Sequence, residues 1–150
     1  MIQEIKGNLL EVERGIIVHG CNAQGVMGSG VAKQIKEKYP QAYDVYKAFY
    51  DTKSLLLGNA VIVYVKKSLW VANGITQKYY GYNPAIKYIN YDAVEGVFEQ
   101  VREFNEPYNL PICFPKIGAG LGGGNWKIIS TIIDETIPDT MEKRLYSYGE

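Results

Sequence analysis

Apolar positions recur along this chain at two spacings, and each change of spacing marks an element. Residues 2–6 form a short strand ended by Gly7-Asn8. Residues 16–22 (IIVHGCN) are β-branched and apolar at first, then polar, as in a buried strand that opens into a site. The glycine-rich run QGVMGSG follows, after which Val31, Ile35 and Tyr39 fall at helical spacing among lysines. Pro40 ends that helix or restarts it, and residues 42–50 are helical again. Residues 60–65 and 69–76 read as two strands of a hairpin turning at Lys66-Lys67-Ser68, and residues 77–87 as a tyrosine-rich loop. Asn90 caps a helix with Asp92 in its first turn and Val94, Val97, Phe98 and Val101 on one face. Residues 110–115 form a short buried strand. Asn125 caps a helix carrying Ile129, Ile132 and Ile133, and residues 143–148 close the chain as a strand. This alternation predicts a three-layer α/β domain with a largely parallel sheet.

In such a fold, ligands bind beyond the carboxyl ends of the strands. Two glycine loops follow strands here, at 25–30 and 118–124, and they share one cleft if those strands are neighbours. The second, IGAGLGGG, holds five glycines in seven residues, more chain entropy than a simple turn requires, so phosphate binding by backbone amides is favoured. It contains G-x-G-x-x-G, but the acidic residue of a dinucleotide site is missing from the end of the next strand. Asp139 has the spacing yet precedes that strand. A P-loop signature is absent as well. Classical NAD(P) binding and triphosphate hydrolysis are therefore disfavoured.

Composition narrows the picture further. The 150 residues fit one domain, 1–150, with 47% apolar and 21% charged positions. Sixteen basic and sixteen acidic residues cancel, which leaves no global field for nucleic acid or anionic membranes. The first residues lack a signal-peptide apolar core, and no run approaches a membrane span. Two cysteines and one histidine are too few for a structural zinc site. We expect a cytoplasmic, metal-independent monomer with no membrane association.

Individual residues carry competing readings. His19 is either a satisfied polar residue at a strand end or an acid/base group. Asn22 and Gln24 favour ligand contact over loop capping. Cys21 and Cys113 favour reduced core thiols. Tyr79, Tyr80 and Tyr82 are a ring-stacking surface or merely an apolar loop. Lys33, Lys36 and Lys38 are a solvated helix face.

Together the motifs resemble the macro domain, the ADP-ribose-binding fold. IKGNLL (5–10) is similar to the family's opening strand and K-G-D-[IL] turn. VHGCNAQGVMGSGVA (18–32) resembles its Asn-bearing first loop, and FPKIGAGLGGGNW (114–126) its second. The resemblance spans nearly the whole chain and implies a three-layer α/β/α sandwich with a mixed six-stranded sheet, binding ADP-ribose without cofactor or metal. It implies ligand contacts from Asn8, Leu9, Cys21, Asn22, Gln24, Gly28, Ser29, Gly30, Val31, Ile117, Gly118, Ala119, Gly120, Leu121 and Gly122. Amides of 28–31 and 118–122 would hold the diphosphate and distal ribose, with Asn22 at that ribose. Asn8 stands where most members carry an adenine-binding Asp, and Tyr146 or Tyr148 would lie near the adenine.

Within the family, the first loop looks closest to ADP-ribose 1″-phosphate phosphatases and ADP-ribose glycohydrolases. The glycohydrolase type is similar in using a Lys and an Asp, at positions that here match Gln77 and Gly122; Lys78 is one residue away. The phosphatase type resembles this chain in its H-x-C-N loop. The expectation is hydrolysis of ADP-ribose 1″-phosphate, with His19 as acid/base and Asn22 orienting water or ribose. The alternatives are a non-catalytic reader of free ADP-ribose or modified macromolecules, a de-ADP-ribosylating enzyme, or an O-acetyl-ADP-ribose hydrolase.

Overall fold

The alternation of strand and helix patterns carries through to three dimensions. The computed structural model describes residues 1–148. In chain order the elements are β1 (Gln3–Lys6), β2 (Gly15–Asn22), α1 (Gly30–Lys38), α2 (Pro40–Asp51), β3 (Ala60–Lys66), β4 (Leu69–Gln77), α3 (Tyr91–Asn105), β5 (Ile112–Phe114), α4 (Trp126–Thr136) and β6 (Lys143–Ser147). Pro40 restarts the helix: it occupies the first turn of α2, where its missing N–H costs nothing. A 3-10 turn at Leu9–Glu11 is an element the apolar spacing does not announce.

The sheet runs β1-β6-β5-β2-β4-β3. Only the β3–β4 hairpin is antiparallel, so the sheet is mixed. β2 lies in the interior and is buried from Gly15 to His19 and again at Cys21 and Asn22, which explains its continuous apolar run. Ile16 and Val18 pack with Val97 and Phe98 of α3 and Ile129 and Ile133 of α4. Ile17 packs with Ile35 and Ala42 of α1 and α2, and Cys21 with Tyr46 of α2. Two helices thus cover each face. Because β2 pairs directly with β5, their carboxyl ends lie side by side, and both glycine loops open onto one cleft.

Candidate functional site

A cleft of about 260 Å³ lies over the ends of β2, β4 and β5. Its wall takes in residues 19–22, 26, 28–32, 76–77, 80–82, 115–118 and 120–122. Among the described residues no carboxylate belongs to it, and Lys116, exposed on the rim, is its one lysine. Such a wall favours an anionic ligand.

The first loop is braced by side chains. Asn22 Oδ1 accepts from the backbone N–H of Gln24 at 2.9 Å and from the Tyr46 hydroxyl at 2.9 Å, while its Nδ2 donates to the Val26 carbonyl at 2.9 Å. The loop delivers the chain to α1 with Ser29 at the N-cap, extended at φ −152°, its hydroxyl making no capping bond. By contrast, Asn90 and Asn125 cap α3 and α4 through side-chain oxygens that accept from Ala93 and Lys127. The first turn of α1 lines the cleft, and its N–H groups, without a side-chain cap, bring the partial positive charge of the helix dipole to it.

The second loop is folded onto itself. Gly118 has φ +71°, and a Cβ there would lie 1.8 Å from Cδ1 of Ile89. Its carbonyl accepts from Gly124 N–H at 2.7 Å. A Cβ at Gly122 would lie 2.7 Å from that same carbonyl oxygen, and the Gly122 carbonyl accepts from the N–H groups of Tyr88 and Ile89. No side chain fits at 122 unless the loop moves.

The sequence pattern of the macro domain family matches residues 18–133, a span that contains both loops, β5 and the carboxyl end of β2. The chain belongs to the macro domain family. A DNA ADP-ribosyl glycohydrolase of Thermus aquaticus is 30% identical over 141 residues, covering 91% of this chain and 38% of its own length. This macro domain thus spans well under half of that relative. An ADP-ribose 1″-phosphate phosphatase of Candida albicans is 26% identical over 145 residues, covering 90% of this chain and 93% of its own. The macrodomain of Thermus aquaticus DarG superposes with a TM-score of 0.82 at 25% identity, over 98% of each chain.

Of the residues singled out from the sequence, His19, Cys21, Asn22, Gly28, Ser29, Gly30, Val31, Ile117, Gly118, Gly120, Leu121 and Gly122 of this macro domain meet in the cleft wall. Asn8, Leu9, Gln24 and Ala119 lie outside it. Asn8 spends its side-chain oxygen on the N–H of Leu10, capping the 3-10 turn at 2.9 Å. Leu9 is 4% exposed and packs in the core beside Leu10 and Ile35. Gln24 accepts from Tyr80 N–H at 2.9 Å, tying the first loop to the tyrosine loop. Tyr146 packs against that same core and over Gly7 instead of reaching the cleft.

His19, expected to be an acid/base group, lies in the cleft wall but is held from behind. It is 1% exposed, its Nε2 lies 2.7 Å from Asn73 Oδ1, and Asn73 in turn donates to the Ala42 carbonyl of α2. Burial pushes its pKa down to about 4, against the weaker opposing effect of the Asn73 bond. The ring is neutral at neutral pH, and its Nε2–H is committed to Asn73, which makes it a poor general acid. Cys21, in contact with it, has its thiol pushed up by burial and stays protonated. Asn22 likewise spends its carbonyl on the protein, which gives it a loop-shaping role. Among the wall residues that sequence reasoning did not single out, the two with polar side chains are Thr76 and Lys116. Each ends or follows a strand flanking the cleft, which is the one signal that could have found them.

Proposed function

We propose that this macro domain binds ADP-ribose in the cleft and hydrolyses ADP-ribose 1″-phosphate to ADP-ribose and phosphate. The observation that carries the reading is the uncapped amino end of α1, which faces a glycine loop across a cleft that holds no carboxylate among the described residues. Backbone amides there accept phosphate oxygens and stabilise the charge that builds on them as the phosphorus is attacked. Water adds to phosphorus as the bond from phosphorus to the anomeric oxygen breaks, and that oxygen leaves with the ribose, ending as its hydroxyl with a proton that the water gives up. An anomeric alkoxide is less basic than an ordinary sugar alkoxide, so the step asks little of a general acid. This suits a cleft in which His19 is neutral and buried.

The relative named as an ADP-ribose 1″-phosphate phosphatase aligns along nearly its whole length, which supports the same reaction. Glycohydrolase chemistry is less well served: Gln77 supplies an amide in place of a lysine, and the packing at Gly122 excludes a carboxylate. A second reading, a non-catalytic ADP-ribose reader, is favoured by the burial of the one histidine. The test sets phosphate release from ADP-ribose 1″-phosphate beside ADP-ribose release from modified protein and modified DNA, with calorimetry for ADP-ribose. Phosphate release that persists in His19→Gln is the expected result. Binding without any release would leave the reader.

A further inference from the structure

Among the described residues, three buried side-chain polar atoms have no hydrogen-bond partner: the Tyr39 hydroxyl, Arg144 Nε and the Thr76 hydroxyl. Of these residues only Thr76 belongs to the cleft wall. Thr76 is 1% exposed and sits near the end of β4, where its carbonyl is fixed by the N–H of Asn90 at 2.8 Å. Its β-branched side chain has few rotamers, so the hydroxyl cannot swing away to find another partner. A buried hydroxyl left unpaired costs stability, and native structures keep such groups where a ligand or water completes them.

The neighbouring residue points the same way. A Cβ on Gly20 would lie 2.8 Å from Thr76 Oγ1 and 3.1 Å from Cγ2 of Ile117. Any other residue at 20 would crowd the hydroxyl, whereas glycine leaves room beside it at the cleft wall. Thr76 also belongs to β4 and not to either amide-lined loop, so it is not one more phosphate donor. A threonine hydroxyl both donates and accepts, which matches a sugar hydroxyl better than an anion.

We infer that Thr76 is a ligand-contact residue whose hydroxyl hydrogen-bonds the distal ribose of bound ADP-ribose. This rests on the proposed ADP-ribose binding and assigns a contact within that site. Thr76→Val keeps the shape and removes the hydroxyl, and Thr76→Ser keeps the hydroxyl. The decisive experiment measures three quantities for each protein: Tm without ligand, Kd for ADP-ribose, and Kd for ADP, which carries the diphosphate but no distal ribose.

Thr76→Val is expected to melt at or above the wild-type temperature, because an unpaired buried polar group has been removed. It should bind ADP-ribose about five- to tenfold more weakly, the loss of one hydrogen bond, and bind ADP like the wild type. Thr76→Ser should restore ADP-ribose binding. An unchanged ADP-ribose Kd in Thr76→Val overturns the assignment, as does equal weakening toward ADP. A lower Tm with unchanged affinity also overturns it, since the hydroxyl would then be serving an internal water. A wild-type protein that binds no ADP-ribose sinks the proposed function itself; a wild type that binds while Thr76→Val binds equally well sinks only the role of Thr76.

Discussion

The loop after β2 is held in shape by side chains, whereas the loop after β5 is held by their absence. In the first, Asn22 gathers the backbone of Gln24 and Val26 with the Tyr46 hydroxyl, and the glycine that leads into α1 is roomy: Gly30 has nothing within 4 Å of a Cβ. In the second, Gly118, Gly122 and Gly124 leave no room for a Cβ against one another's backbones or Ile89, Gly120 alone is open, and among the described residues main-chain bonds hold the turn. Both loops expose N–H groups to one cleft, so the same electrostatic task is met by two constructions. A braced loop fails when its brace is cut. A close-packed loop fails when anything is added.

The sharpest way to break this comparison is to exchange the injuries. Gly118→Ala places a Cβ into Ile89 and forces a non-glycine residue to positive φ, and we expect a loss of about 3 kcal/mol. That is a fall of roughly 6–12 °C in Tm for a domain of this size. Gly30→Ala, also at positive φ but in open space, should cost only about 1 kcal/mol. Cutting the brace with Asn22→Ala falls between them, at about 2 kcal/mol, because it leaves loop N–H groups unpaired. Thermal melts of the three proteins check the order. Equal losses at Gly118 and Gly30 would mean that the second loop is not close-packed.

Acid should act on the first loop's side of the sheet. His19, on β2, has a folded pKa of about 4 against an ordinary value of 6.5, so the unfolded chain binds more protons between those values. Stability is therefore present above pH 6.5 and is lost as pH falls toward 4. Between pH 7 and pH 5 the loss from this group is about 2 kcal/mol. On β5, below the second loop, burial holds the Cys113 thiol up at about 11, and it stays protonated throughout that range. Denaturant melts at the two pH values, in wild type and His19→Gln, measure the difference; the variant should lose most of the slope.

What could be read from the sequence divides along the same line. The glycine loops were legible because a positive φ or a close backbone approach excludes other residues locally, whatever the tertiary context. The helix caps at Asn90 and Asn125 were legible for the same reason of locality. The adjacency of β2 and β5 was not, because parallel neighbours are chosen by contacts ninety-odd residues apart along the chain. The roles of Asn22 and His19 were no more local: their types advertise hydrogen bonding, but the packing of α2 brings Tyr46 to Asn22, and the pairing of β2 with β4 sets Asn73 opposite His19. Lys143 makes the point in reverse. A lysine opening the last strand reads as solvated, yet its side chain is 0% exposed, satisfied by Asp134 at 2.8 Å and Asp139 at 3.0 Å. Thr76 looked like an ordinary strand former, since an orphaned hydroxyl exists only relative to what surrounds it.

The smallest effect tests the premise on which the cleft's chemistry rests, that α1 keeps its first amides free. If the Ser29 hydroxyl makes no capping bond, Ser29→Ala should change stability by less than about 0.5 kcal/mol, while Asn125→Ala at the capped α4 should cost about 1 kcal/mol. Ser29→Asp then carries two opposite expectations. An aspartate at an N-cap accepts from the first-turn N–H groups and complements the dipole, which should raise stability by about 0.5–1 kcal/mol. The same carboxylate occupies those N–H groups and sets a negative charge where a diphosphate is to bind, so ADP-ribose should bind at least tenfold more weakly. A stabilised protein that has lost its ligand is the outcome expected only if the open helix end and the anion site are one and the same. Should Ser29→Ala cost as much as Asn125→Ala, the cap is already made, α1 has no free amides to offer, and anion binding would fall to the second loop and Lys116 alone.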